Sequence, residues 1–216
     1  MIVAEVGLNH LGSAKLAEKY IETLSKISEV NGITFQVREK SHRDKKPELY
    51  FDFSEYKGLF GTIKNTDVLS GVAITNEETV SFFEDLNVGF YKVVRDGVFN
   101  EDLLSLLSET GKPVLVSVGL CSKEDIEKLS SMLSSINGDI RLIYTNRSST
   151  ELSKANMSVM NSLKKYYPKI GYGSHCNDPI SLFLSLQYNP TDILFYVKDS
   201  EMSSQFPDDE WAIEMK

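Results

Sequence analysis

Apolar and β-branched residues fall into short unbroken runs, separated by longer segments in which apolar positions return every three or four residues. The runs predict strands at the opening stretch from Met1 and at residues 33–38, 68–75, 89–94, 114–119, 140–145, 170–175 and 193–197. Between them the helical spacing predicts helices at 13–29, 54–63, 76–86, 101–110, 123–135, 158–166 and 180–188, with a short closing helix at 208–215. Ser13 and Asn76 are placed to cap helix starts, and Gly111-Lys112-Pro113 reads as a helix stop that launches the next strand. The charged stretch 39–48 has no apolar face to bury and reads as a loop over the top of the fold.

Strands that are apolar throughout need cover on both faces, and eight of them alternating with helices is the number that closes a (β/α)8 TIM barrel in one compact α/β domain. An open doubly wound sheet is the other arrangement of such units, but no Gly-rich phosphate fingerprint follows the first strand. Composition adds exclusions. A net charge of −8 over 216 residues does not suit a nucleic-acid or anionic membrane surface. With no 18-residue apolar run and no signal-type N-terminus, the sequence reads as a cytoplasmic protein. Cys121 and Cys176 give neither a disulfide framework nor a zinc knuckle, and the two glycosylation sequons at Asn146 and Asn156 read as chance.

In a barrel of this kind the chemistry gathers at the C-terminal ends of the strands. Those positions hold Glu5, Asn9 and His10, then Gln36 and Arg38, Thr75, Lys92 and Arg95, Ser117, Thr145 and Asn146, and finally Ser174 and His175. Hydroxyls and amides donate hydrogen bonds and Lys92 adds charge, so the set suits a small anionic, phosphorylated ligand. No nucleophile elbow is present. Spacing alone leaves His175 open as metal ligand, general base or core residue.

The segment Ala4-Glu5-Val6-Gly7-Leu8-Asn9-His10-Leu11-Gly12 resembles the "AEIGxNHxG" opening of the sialic acid synthases, the phosphoenolpyruvate-dependent enzymes of nonulosonate biosynthesis. The resemblance continues through Tyr91-Lys92-Val93-Val94 and the run from Gly111 to Leu120, then Tyr144-Thr145-Asn146, the run from Gly171 to His175, and Pro207-Asp208. It covers that family's barrel domain only, and implies that the family's C-terminal antifreeze-like domain is not expected here. It implies phosphoenolpyruvate held by Lys92, Thr75, Ser117 and Asn146, with Gln36, Asn9 and Arg95 nearby. Asp208 would face an N-acyl amino sugar and Glu5 would stand at the reacting centre. His175 would be one of two histidines holding a divalent ion, usually manganese, which polarises the sugar aldehyde while water adds to C2 of phosphoenolpyruvate and C3 attacks. In the family the extra domain caps the partner's site within a dimer; without it, a homodimer formed through the barrel itself is a further expectation.

The departures from that pattern are specific. Val197 stands where the second metal histidine is expected and Phe195 where a glutamate is, so a divalent site would be weakened. Thr34 replaces a phosphate-binding lysine, Arg95 a serine and Gly173 another serine, with Arg95 or Arg38 able to restore the lost cation. The expected activity is a phosphoenolpyruvate-dependent C–C bond-forming transferase of the N-acetylneuraminate synthase type. The alternatives are a non-catalytic anion- or phosphosugar-binding barrel and a related aldolase or lyase.

Overall fold

The computed structural model describes residues 1–202 and 206–215. Eight parallel strands, β1 (Ile2–Gly7), β2 (Gly32–Gln36), β3 (Leu69–Ile74), β4 (Phe90–Val93), β5 (Val114–Ser117), β6 (Ile140–Tyr144), β7 (Ile170–Ser174) and β8 (Ile193–Asp199), pair in chain order. β8 pairs back onto β1 from Ile193 against Ile2 to Tyr196 against Glu5, which closes the barrel. Helices α1 (Ala14–Leu24), α2 (Lys40–Arg43), α3 (Phe53–Ile63), α4 (Val80–Asp85), α5 (Glu101–Glu109), α6 (Lys123–Leu133), α7 (Val159–Leu163) and α8 (Ile180–Ser185) occupy the connections. Several start on local chemistry: Ser13 and Asn100 accept from the third helical N–H, while Asp52 with Glu55 and Ser122 with Asp125 form reciprocal capping boxes. No helix among the described residues is long and apolar enough to cross a membrane.

Two apolar layers hold the barrel. Outside, the buried stripes of the helices, such as Leu16, Tyr20 and Leu24 of α1, meet outward strand residues such as Val6, Ile33 and Val72. Inside, Val3, Phe90, Leu115, Ile143 and Leu194 form a separate buried cluster. Phe90 fills this interior because β2 and β3 carry glycine there; a Cβ at Gly71 would lie 2.1 Å from its ring and one at Gly32 2.7 Å. Strand side chains alternate with period two. The next inward position on each of these strands is therefore Glu5, Lys92, Ser117, Thr145 and Tyr196, a polar layer laid directly on an apolar one.

Three expectations are corrected. Residues 208–215 do not form a helix: a turn through Asp208–Trp211 leads into a ninth strand, β9 (Ile213–Met215), parallel to β8 with Val197 opposite Ile213. The cause is that β8 runs on to Asp199, two residues past its expected end, and offers an unpaired edge that β9 takes. Stretch 39–48 is partly ordered into α2 and a 3-10 turn at Pro47–Leu49, tied down by Arg43 to Glu78 and by the Tyr50 hydroxyl to His42 Nδ1. The helices expected at 13–29 and 158–166 are shorter, closing at Leu24 and Leu163.

Candidate active site

A cavity of about 350 Å3 opens at the C-terminal end of the barrel. Gln36, Lys92, Arg95, Ser117, His175 and Asp208 line it, six of the ten residues to which the resemblance gives a role, together with Thr145 from the end of β6. Its floor is set by an ion pair. Lys92 on β4 donates from Nζ to Glu5 Oε1 on β1, and both side chains are almost wholly buried. Tyr196 stands beside this pair, with Lys92 Nζ 5.8 Å from its ring centroid. Room for Tyr196 comes from Gly7, whose φ is +57°. A Cβ there would lie 2.8 Å from the Tyr196 ring and 3.2 Å from an Asp208 carboxylate oxygen.

The charge on the walls is uneven. Arg38, Arg43 and Arg141 are each salt-bridged. Arg95 and Arg147 line the cavity and make no salt bridge among the described residues. Arg95 has a φ of 55°, a left-handed conformation that a non-glycine residue pays to adopt, and it follows directly on β4 and Val94. The cavity therefore carries two unpaired guanidinium groups in a protein whose net charge is −8.

Asp208 lines the same cavity. Burial, and then the charge of Glu5, push its carboxyl up to about 6, against smaller pulls downward from Lys92, Arg147 and Arg95. The Tyr196 phenol is pushed well above its ordinary value by burial and by Glu5 and Asp208, so it stays protonated and available as a donor. His175 stacks on Trp211 with ring centroids 4.5 Å apart and meets Tyr196 edge-on at 5.5 Å. Burial, aided by Lys92 and Arg147, holds its imidazole down to about 3, and it is neutral near pH 7.

The remaining sequence-derived residues are turned to other partners. Thr75 donates to Glu39 Oε2 at 3.1 Å, and Glu39 is in turn gripped by Arg38, so the pair holds α2 against the rim. Asn146 shapes its own turn, donating to Lys154 O and accepting from the Ser148 N–H at 2.9 Å. Asn9 is fully buried; it donates to Val197 O at 2.9 Å and accepts from the Asp208 N–H at 3.1 Å. It positions Asp208 without lining the cavity. Residues not singled out beforehand include Tyr196, Arg147 and Trp211. Tyr196 was legible through period-two counting from Leu194; Arg147 and Trp211 sit on loops, where no periodicity points.

The donors present do not fit a two-histidine metal centre. Val197 has its side chain in the apolar core, its carbonyl engaged by Asn9, and the remaining imidazole lies near the positive charges of Lys92 and Arg147.

The chain is similar to several known proteins. The chain is 24% identical over 198 residues to N-acetylneuraminate-9-phosphate synthase of Mus musculus, covering 81% of this chain and 55% of that protein. It is 23% identical over 203 residues to N,N'-diacetyllegionaminic acid synthase of Campylobacter jejuni, with 81% and 60% covered. The chain thus spans little more than half the length of these curated relatives. Among solved structures, N-acetylneuraminic acid (sialic acid) synthetase of Leptospira borgpetersenii superposes with a TM-score of 0.87 at 24% identity, covering 99% of this chain and 78% of that one. A truncated 3-deoxy-D-arabino-heptulosonate 7-phosphate synthase of Thermotoga maritima superposes at 0.73 with 13% identity, covering 99% and 80%. These superpositions establish the barrel fold. The NeuB family model matches residues 8–187, most of the barrel from the first strand end to the last helix, and the chain belongs to the NeuB family.

Proposed function

We propose that the cavity binds phosphoenolpyruvate and that the protein joins it to the aldehyde of an N-acyl amino sugar. The observation that carries this reading is the convergence of Lys92, Arg95 and Arg147 on one cavity that also holds an acid of raised pKa, Asp208. Guanidinium groups left without partners suit a ligand with phosphate and carboxylate oxygens. Gln36 and Ser117 add neutral donors. In the bond-forming step C3 of phosphoenolpyruvate attacks the aldehyde carbon, the aldehyde oxygen takes a proton, water adds at C2, and the C2–O bond to phosphate breaks to release inorganic phosphate. On this reading Asp208, part-protonated near its value of about 6, hands over the proton, and Tyr196, which lines the same cavity with its phenol protonated, is a second donor to the aldehyde oxygen.

A second reading follows from Val197 and Phe195: a barrel that binds the anion without turning it over. The test is calorimetry of phosphoenolpyruvate on wild type and Arg147→Ala, with phosphate release measured on adding N-acetylhexosamines, in chelator and in manganese. Saturable binding, weakened roughly tenfold in Arg147→Ala in line with ~1.4 kcal/mol per decade, together with phosphate release, is the expected result. Binding without release selects the second reading. Absence of binding under all conditions rejects both.

A further inference from the structure

The pairing of β2 with β3 continues past the polar layer. Gln36 stands opposite Ala73, and the ladder runs one step further, with the Val37 N–H donating to Ala73 O at 2.8 Å. Period-two alternation then brings Arg38 and Thr75 side by side at the mouth, two residues beyond Gln36, which lines the cavity. A guanidinium fork beside a hydroxyl is a receptor for an anion. The chain fills this one itself. Arg38 donates from Nε to Glu39 Oε2 at 2.9 Å and from Nη2 to Oε1 at 2.8 Å, and Thr75 Oγ1 donates to Oε2 at 3.1 Å. Arg38 holds the Glu39 carboxyl down to about 2, so near neutral pH it is a standing negative charge. Glu39 is also the residue on which α2 begins. The other tether of α2 is Glu78, which accepts from Arg43 at 2.6 Å and from the Lys40 N–H at 3.2 Å. The charges of Arg38 and Arg95 both act on His42 of α2, which sets this contact within electrostatic range of the cavity wall. The Glu39 side chain is 31% exposed, so it can swing to solvent without opening the core.

We infer that Glu39 is a built-in competitor at the mouth: its carboxylate holds Arg38 and Thr75 against monocarboxylates, yields them to a phosphate dianion, and releases the start of α2 as it leaves. The inference rests on the reading of the cavity as an anion site and adds how that site selects among anions. A free monocarboxylate offers Arg38 and Thr75 no more than Glu39 does, and Glu39 is tethered beside them at high effective concentration. A phosphate group brings about twice the charge and three acceptor oxygens. Selectivity then comes from an element that rejects the wrong ligand as well as from contacts to the right one.

The experiment titrates phosphoenolpyruvate and, separately, pyruvate into wild type, Glu39→Gln and Glu78→Gln by calorimetry, while limited trypsin digestion follows cleavage after Lys40, Arg43, Lys45 and Lys46. Glu39→Gln is expected to bind phosphoenolpyruvate about fivefold tighter and pyruvate tighter by a larger factor, about tenfold or more, so that discrimination between the two narrows. Phosphoenolpyruvate is expected to speed cleavage of this segment about threefold in wild type and to leave it unchanged in Glu39→Gln, where the contact is already broken. Glu78→Gln loosens α2 from its other side without touching the donors at the mouth, and is expected to be cut faster with wild-type affinity for both ligands. Equal affinities in wild type and Glu39→Gln, an unchanged ratio between the two ligands, or wild-type cleavage that phosphoenolpyruvate leaves unchanged or slows would each overturn the competitor. So would a gain in Glu78→Gln equal to that in Glu39→Gln, which would trace the effect to a loose α2. Phosphoenolpyruvate binding to Glu39→Gln alone would support it, as a mouth fully closed by Glu39. Binding to none of the three proteins rejects the anion reading and the competitor with it, whereas binding that ignores Glu39 rejects the competitor alone.

Discussion

Lys92 and Glu5 come from β4 and β1, which are not neighbours in the sheet, and meet inside the barrel just above its apolar layer. Each charge is tolerable there only because the other is present. Removing one partner of a buried pair leaves the other uncompensated, at a cost of about 3–5 kcal/mol, whereas replacing both with uncharged groups of similar shape is close to neutral. Lys92→Met is therefore expected to lower stability by about 3 kcal/mol in chemical denaturation, and Lys92→Met/Glu5→Gln to recover most of that loss. Additive losses in the double variant would show that the two side chains do not act as a pair. At Arg95 the left-handed backbone keeps an arginine directly after a strand and aims the chain into the following 3-10 turn at Arg95–Phe99.

At the scale of elements, Asn9 acts as a strap. One amide side chain joins the β1 end to the carbonyl of Val197 on β8 and to the backbone N–H of Asp208, and so sets both the end of the barrel seam and the turn that brings Asp208 and Trp211 over the mouth. Asn9→Ala strands a buried carbonyl and a partly buried N–H. The expected cost is about 2–3 kcal/mol, together with a red-shifted Trp211 emission as the turn loosens. A variant with wild-type emission and stability would remove this role from Asn9. The same strap explains why β9 forms at all: it holds residues 206–212 beside β8, where the extended edge beyond Val197 is open to pairing.

Across the whole molecule, three buried groups set the response to pH. His10, by burial, and His175, by burial with Lys92 and Arg147, are both held down to about 3. Between that value and the ordinary 6.5 the unfolded chain takes up protons that the native state refuses, so stability rises with pH. Asp208 acts oppositely: pushed up to about 6 from 3.8, it keeps a proton in the native state that the unfolded chain releases, so its contribution falls as pH rises through that window. Below about pH 4, Glu39 and Asp139, both held near about 2 by adjacent arginines, add to the rise. The net expectation is stability climbing from pH 4 to 6.5. Asp208→Asn should steepen the climb and stabilise the protein at pH 7 by on the order of 2 kcal/mol, read as a higher Tm; an unchanged Tm at pH 7 would show Asp208 to be solvated and unstrained.

The barrel, its eight repeating units and the neighbourhood of Gln36, Lys92, Ser117 and His175 are legible in the chain's local patterning. Apolar runs and helical spacing are local signals, and period-two alternation carries them up each strand to the mouth. Which polar groups face the cavity depends on long-range contacts that local patterning does not carry. Thr75 is claimed by Glu39, Asn9 by Val197 and Asp208, and residues 213–215 become a strand because β8 offers them an edge. A polar side chain goes to whichever partner satisfies its hydrogen bonds. For Asn9 that partner lies 199 residues away, a distance over which no local pattern in the chain carries information.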